Sequence, residues 1–192
     1  VQNGELALPQ GTIIGPAQIG VLASLGLSRA SVIRRPRVTI LSTGDELLRP
    51  GEALVPGKIY DSNAFSIAAQ VEDYGGVPRV SEIATDSVDS LMALIEQGLI
   101  DSDMLVTSAG VSRGDFDIVK DVLARMGEIG FWTVRMRPGK PLAFGVLNGP
   151  EGRPVPHLGL PGNPVSAMMT MELFGRPAIY TMLGKPDAWE RP

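Results

Sequence analysis

The sequence contains no cysteine and a single histidine, His157, among its 192 residues. The first absence removes disulfides, thiolate metal sites and cysteine nucleophiles together. The second excludes histidine-rich zinc centres and disfavours a serine–histidine–aspartate triad. No run of about 18 apolar residues occurs, so the sequence offers no membrane span. No basic-then-apolar leader opens it. Positive charge is not in excess either: 17 Lys and Arg stand against 21 Asp and Glu, a net charge of −4. That balance lacks the electrostatic footprint of a protein that grips the DNA or RNA backbone. The expectation is a cytoplasmic protein with neither a nucleic-acid nor a membrane partner.

What is present is ordinary apolar material and an excess of loop formers. Hydrophobic residues make up 44% and charged residues 20%, enough for a core and too apolar for intrinsic disorder. The 23 glycines and 16 prolines form about a fifth of the chain, against roughly 12% on average. Without collagen periodicity this predicts many shaped loops, where α/β folds keep their chemistry. The length fits one domain with an appendage.

Residues 1–37 read differently from the rest, with Gly and Pro punctuation around one short helix and a linker. Gly15-Pro16 opens a short helix with Ile19, Leu22 and Ala23 on its apolar face and Gly26 at its end. Arg34, Arg35 and Arg37 read as a solvated basic cluster. From Val38 to Gly184, strand-like and helix-like segments alternate. Val38–Leu41 predicts a buried strand. Asp61-Ser62-Asn63 supplies caps for a helix with the stripe Ala64, Ile67, Ala68 and Val71, stopped by Gly75-Gly76. Arg79–Ile83 is the next strand. Ser87 caps a helix carrying Val88, Leu91, Met92, Ile95 and Leu99 on one face. Met104–Val106 is the third strand, and Phe116, Val119, Val122, Leu123 and Met126 mark a helix closed by Gly127. Strands over Trp132–Met136, Leu142–Val146 and Val155–Leu160 follow. A last helix starts at Asn163-Pro164, with a bend expected at Pro177. This rhythm predicts an α/β fold of three layers, α/β/α, around a mostly parallel sheet with right-handed crossovers. Near residue 140 the strands lie too close together for a helical crossover, which predicts antiparallel pairing there. In such folds ligands sit beyond the carboxyl ends of the strands.

Five loops are predicted at that edge. Ser42-Thr43-Gly44-Asp45-Glu46 joins hydroxyls and a glycine backbone, able to approach an anion, to two carboxylates suited to Mg²⁺. Alone, it reads equally as a strand-end turn with surface acids. Thr85-Asp86-Ser87 alone is a helix cap. Residues 107–117, TSAGVSRGDFD, form a hydroxyl- and glycine-rich entry to a helix, whose N–H groups suit phosphate. This segment has neither the Gly-Lys-Ser/Thr of a Walker A loop nor dinucleotide GxGxxG spacing. Asp115 reads as a cap, and Asp117 lies a short step inside the helix. Arg137–Pro141 is a stiff turn around Lys140, either a phosphate-binding point charge or a solvated lysine. Leu160–Ser166 starts the last helix rigidly, with Asn163 as cap and Pro164 at its first position. His157 reads as a structural strand residue, and Met168, Met169 and Met171 as core filling. Together the acids, hydroxyls, glycine amides and lysine describe a site for a phosphorylated ligand and a divalent cation.

The ordered series STGDEL (42–47), YDSN (60–63), TSAGVSRGDFD (107–117), RPGKP (137–141) and LPGNPVSA (160–167) resembles the molybdopterin-binding domain of molybdenum cofactor biosynthesis. Within it, the series is similar to the molybdopterin molybdotransferases, the family of bacterial MoeA and the gephyrin E domain. The resemblance runs from about Gly4 to about Gly184. RPGKP and LPGNP favour the molybdotransferase over the adenylyltransferase of the same fold. That enzyme stands as the alternative, beside a non-catalytic pterin-binding or scaffold domain.

The resemblance implies insertion of molybdate into adenylylated molybdopterin with release of AMP, and Mg²⁺ as cofactor. It implies Asp45, Glu46, Asp86 and Asp117 as catalytic, metal-holding acids and Lys140 as a further catalytic residue. It implies Thr43, Gly44, Ser108, Gly110, Ser112, Gly114, Pro161, Gly162, Asn163 and Pro164 as the lining of the pterin or phosphate pocket. A homodimer in full-length form is implied, with the adenylyltransferase and recipient molybdoenzymes as partners. Residues 1–37 then read as the end of a preceding domain and a linker helix, 38–184 as the molybdopterin-binding domain, and 185–192 as the start of a C-terminal domain. Two departures stand out. The family's Gly-Gly-Val-Ser loop is here Ala109-Gly110-Val111-Ser112, so Ala109 narrows a close approach. Arg113 stands where a small apolar residue is expected.

Overall fold

Along Val38–Leu41 the side chains alternate between two separate cores, because successive strand residues face opposite sides of a sheet. Val38 and Ile40 enter one core and Leu41 the other, all three with no exposed surface. A strand buried on both faces needs helices above and below it, and that requirement sets the architecture.

The computed structural model describes residues 2, 4–109 and 116–185. In chain order the elements are α1 (Pro16–Ser24), β1 (Arg37–Ser42), β2 (Leu47–Leu48), β3 (Ile59–Tyr60), α2 (Asn63–Asp73), β4 (Val77–Val80) and α3 (Val88–Leu99). They continue with β5 (Met104–Ser108), α4 (Phe116–Met126), β6 (Gly127–Thr133), β7 (Pro141–Asn148) and β8 (Pro154–Leu160). The last two helices are α5 (Pro164–Thr170) and α6 (Arg176–Met182), joined by a π-helical turn, Met171–Gly175.

Six strands form one sheet in the order β4-β1-β5-β8-β7-β6. The first three pairings are parallel. Those of β8 with β7 and β7 with β6 are antiparallel, as the short spacing near residue 140 predicts. One core joins α2, α5, the π-helical turn and α6 to Val38, Ile40, Met104, Val106, Leu158 and Leu160. The other joins α3 and α4 to Leu41, Leu105, Leu147 and Val155. Each fully buried Leu or Ile contributes about 1.5–3 kcal/mol relative to exposure. The three-layer expectation holds. No helix of the described residues is long and apolar enough to cross a membrane.

Several local expectations need correction. The fourth strand lies at 77–80 rather than 79–83, at the sheet edge, where pairing on one side decides its limits. Gly127 does not simply stop α4. It begins β6, which runs to Thr133 instead of Trp132–Met136. A Cβ on Gly127 would lie 2.1 Å from the Val146 carbonyl oxygen of β7, so the glycine serves close strand pairing. The last helix is disturbed at Met171–Gly175, N-terminal to Pro177. Proline has no N–H for the carbonyl four residues back, and a wider turn accommodates the missing bond. No residue of α1 is buried: of its expected apolar face Leu22 is half-buried, while Ile19 and Ala23 are exposed.

The arginine cluster is pinned rather than merely solvated. Arg34 grips Asp103 through both terminal nitrogens, one of them at 2.6 Å. This hydrogen bond holds the Asp103 carboxyl below the usual carboxylate range. Arg35 donates to the carbonyls of Gly75 and Gly76 at the end of α2 (2.8 and 2.7 Å).

His157 is a structural strand residue, as expected. It is completely buried in β8, and its Nε2 lies 3.1 Å from Thr107 Oγ1. Burial disfavours the charged imidazolium and lowers its pKa from 6.5 to about 3. The unfolded chain therefore binds a proton near pH 6.5 that the folded chain refuses. The associated stability is fully present above pH 6.5 and is lost as pH falls toward 3. Between pH 7 and pH 5 this one group should remove about 2 kcal/mol of unfolding free energy. Urea melts of wild type and His157→Gln at both pH values check it. The variant should lose about 2 kcal/mol less over the interval, and equal losses would show that His157 titrates normally.

Candidate ligand and metal site

Parallel pairing brings Ser42, Ser108 and Leu160, the last residues of β1, β5 and β8, into one row across the sheet. Three chain reversals therefore leave from the same edge. An isolated bridge, Thr43 with Ala84, draws the segment after β4 to it and places Thr85 and Asp86 beside Gly44 and Asp45. The antiparallel strands complete the edge. Ala143 pairs with Gly159 and Pro141 with Thr133, so the Lys140 turn arrives at the same end as the parallel strands' carboxyl termini. The described parts of the five loops singled out in the sequence lie along that edge.

Asp45 and Asp86 are brought together by reciprocal capping. The Asp86 N–H donates to Asp45 Oδ1 at 3.1 Å, and the Asp45 N–H donates to Asp86 Oδ2 at 3.4 Å. Each carboxylate keeps a second oxygen that accepts nothing from the described residues. Both side chains are exposed, as is that of Glu46. Glu46 folds back over Gly44, whose φ is +140°. That backbone conformation favours glycine, and the overlap of a Cβ with the exposed Glu46 carboxylate, 2.6 Å from Oε2, is relieved by turning that side chain. Among the described residues no three His, Asp or Glu side chains are assembled as a metal cage. Gly110, Ser112, Gly114, Asp115 and Arg113 lie outside the described residues, as does the side chain of Asp117. The donor set still fits Mg²⁺, which is commonly held by one or two carboxylates plus substrate phosphates and water.

The 45–62 excursion, unexpected from the sequence, is tied down beside this pair. β2 and β3 form a short parallel pair, and the Lys58 ammonium donates to the Asp45 carbonyl. Arg49 is held by Glu82 at 2.9 Å and the Ser81 carbonyl at 3.0 Å. Arg49 and Lys58 line a cleft of about 280 Å³ with Gly44, Asp45, Ala84 and Thr85.

On the other side of the edge, Asn163 Oδ1 accepts the Ser166 N–H at 3.2 Å and caps α5, with Pro164 at the first helical position. Pro161 is buried and Gly162 half-buried. Lys140 is exposed. Its carbonyl accepts the Val134 N–H at 2.8 Å, while its ammonium makes no bond to the described residues. Gly139, at φ +99°, carries that turn against Thr170 at the end of α5.

Sequence reasoning missed the role of Asn63. α2 is capped instead by Asp61, whose Oδ1 accepts the Ala64 N–H at 3.1 Å, while the Ser62 side chain makes no cap. Asn63 is buried and donates to both Ser108 Oγ and the Gly162 carbonyl at 2.8 Å each. The one available signal was its place in the YDSN series. Its partners are distant in sequence and visible only in the fold.

The fold and edge define the class: a three-layer α/β/α domain with its carboxylates, hydroxyls and stiff turns gathered at the carboxyl end of a parallel sheet. A family model described as a probable molybdopterin binding domain matches residues 39–181, and the chain belongs to that family. It is 40% identical over 195 residues to molybdopterin molybdenumtransferase 2 of Mycobacterium tuberculosis H37Rv, covering 98% of this chain and 47% of that protein. It is likewise 40% identical to the molybdopterin molybdenumtransferase of Nostoc, covering 98% of this chain and 43% of that protein. The solved structure of the molybdopterin biosynthesis moea protein from Pyrococcus horikosii matches 90% of this chain and 42% of that one, with a TM-score of 0.77 and 33% identity. The chain thus spans less than half the length of the relatives it matches. The tungsten cofactor synthesizing protein MoaB from Pyrococcus furiosus, at 15% identity and a TM-score of 0.59, shares the fold.

Ala109, the position at which the resemblance implies glycine, has φ +73°. An L-residue in this left-handed conformation costs about 1–2 kcal/mol. Glycine removes that cost but loses about 0.5–1 kcal/mol to backbone entropy. Ala109→Gly should therefore stabilise the fold by up to about 1 kcal/mol, whereas Gly44→Ala, strained at φ +140°, should destabilise it. Urea midpoints of the two variants, moving in opposite directions, check the assignment.

Proposed function

We propose that this chain forms the substrate-holding domain of a molybdopterin molybdotransferase, which inserts molybdate into adenylylated molybdopterin and releases AMP. The observation that carries the reading is the meeting of the Asp45–Asp86 pair, Ser108, Lys140 and the Pro161–Pro164 turn at one sheet edge. The names of the relatives support it. Thr43, Gly44, Ser108 and the Pro161–Pro164 turn line the pocket for the pterin and its phosphates, continued by Gly110, Ser112 and Gly114. Asp45 and Asp86 would hold Mg²⁺ together with the substrate's phosphates, with Glu46 and Asp117 as the further acids proposed for the ion. When bound, the ion supplies charge neutralisation at a pyrophosphate and polarises the scissile P–O bond. Lys140 offers a mobile point charge for the phosphate, and stabilises charge developing on the departing AMP. The full-length protein is a cytoplasmic homodimer on this reading. It receives its substrate from an adenylyltransferase and passes its product to molybdoenzymes.

The test is AMP release by the full-length protein from adenylylated molybdopterin on addition of molybdate. Release of pyrophosphate from molybdopterin and Mg-ATP would instead favour the adenylyltransferase. Asp86→Asn keeps an oxygen for the Asp45 N–H but loses its charge. It should cut molybdate-dependent AMP release by at least about tenfold, or ~1.4 kcal/mol of barrier.

Lys140→Ala should weaken ground-state binding as well, and the deficit should shrink as salt is raised, because an exposed charge contact is screened. Calorimetry at two salt concentrations reads this. Wild-type affinity of Lys140→Ala at low salt would remove the lysine from the site.

A further inference from the structure

The carboxamide of Asn63 commits both of its hydrogens to parts of the chain that sequence keeps far apart. One goes to Ser108 Oγ and the other to the Gly162 carbonyl, each at 2.8 Å. Its orientation is fixed, because a backbone carbonyl can only accept and so the nitrogen must face Gly162. Its Oδ1 is buried and bonds to no described protein group, so the tie is made by the NH₂ alone. The residue is itself on a rigid post. It begins α2, where Ala64, Ile67 and Val71 are locked into the core below the sheet.

The two acceptors belong to the two loops that matter most at the edge. Ser108 ends β5, and the backbone reverses immediately after it at Ala109, φ +73°. Gly162 lies in the Pro161–Pro164 turn that leads into α5. Drawing the two loops apart would break the amide's hydrogen bonds.

We propose that Asn63 is a positioning residue: by tethering Ser108 to Gly162 it sets the spacing between the end of β5 and the Pro161–Pro164 turn, and so the alignment of a ligand bound beside them. This rests on the reading that those loops hold the substrate. Misplacing reacting groups by about 1 Å costs on the order of 100-fold in rate, so a lost tether should show chiefly in turnover.

Asn63→Asp keeps the side chain's size and removes both donors, setting a carboxylate against the Gly162 carbonyl. In the full-length protein, with rates per folded molecule, its kcat for AMP release should fall at least about thirtyfold while KM stays within about threefold. Ser108→Ala removes one acceptor and should give a smaller loss. Asn63→Asp should then cost less in the Ser108→Ala background than in wild type. Hydrogen exchange at the Ala109 and Gly162 amides should rise in Asn63→Asp.

A lower melting temperature with unchanged kcat, KM and exchange would overturn the proposal and leave Asn63 a structural peg. If the wild-type protein releases no AMP, the functional reading fails, and exchange alone decides the tether: unchanged exchange overturns it, increased exchange supports it. Should Asn63→Asp not fold, hydrogen exchange at the Gly162 amide in Ser108→Ala carries the decision, because that readout does not depend on Ser108's own place in the pocket: increased exchange supports the tether and unchanged exchange overturns it.

Discussion

The lateral hydrogen bonding of β1, β5 and β8 in parallel register is the interaction on which the rest of this domain depends. It aligns Ser42, Ser108 and Leu160 in a single row, so three loops must leave the sheet at one edge. Parallel strands must be joined by crossovers, and the crossovers supply the helices that cover both faces. The core and the site are thus two consequences of the same pairing.

The polar groups at that edge are organised by bonds to backbone rather than by a dense charge cluster. Asp45 and Asp86 each cap the other's loop, and Lys58 holds the Asp45 carbonyl. Backbone contacts fix where the carboxylates stand, while an oxygen of each stays unspent toward the solvent side. Such an arrangement suits a ligand that brings its own phosphates and cation. Surface acids packed tightly together would repel one another before any ligand arrived.

Stability and shape trade against each other at a few identifiable points. Burying His157 beside Thr107 stabilises the neutral ring and ties the fold to pH. Ala109 holds a backbone conformation better suited to glycine, at the entry to the glycine-rich loop. That strain falls next to the Asn63 tether.

Much of this was legible in the amino-acid sequence. Local patterns gave α2, α3 and α4 their apolar faces, because a helix's 3.6-residue period is written in consecutive residues. β1, β5 and β8 appeared as short apolar runs, and the five loop motifs placed the site at a strand-end edge. The exact limits of β4 and β6 were not legible, since cross-strand partners such as Val146 against Gly127 decide where pairing begins. The parallel β2–β3 pair was hidden in two-residue strands. Arg34, Arg35 and Arg37 read as solvated because their partners, Asp103, Gly75, Gly76 and Asp101, are supplied by other elements. Sequence alone determined which residues could do chemistry and on which edge they would stand, for periodicity and turn chemistry are local. Only the tertiary structure decided which of them touch: that Asp45 answers Asp86, and that Asn63 leaves its helix cap to bind Ser108 and Gly162. Those contacts form between residues distant in the chain, and their hydrogen bonds exist only once the parallel strands have set the loops side by side.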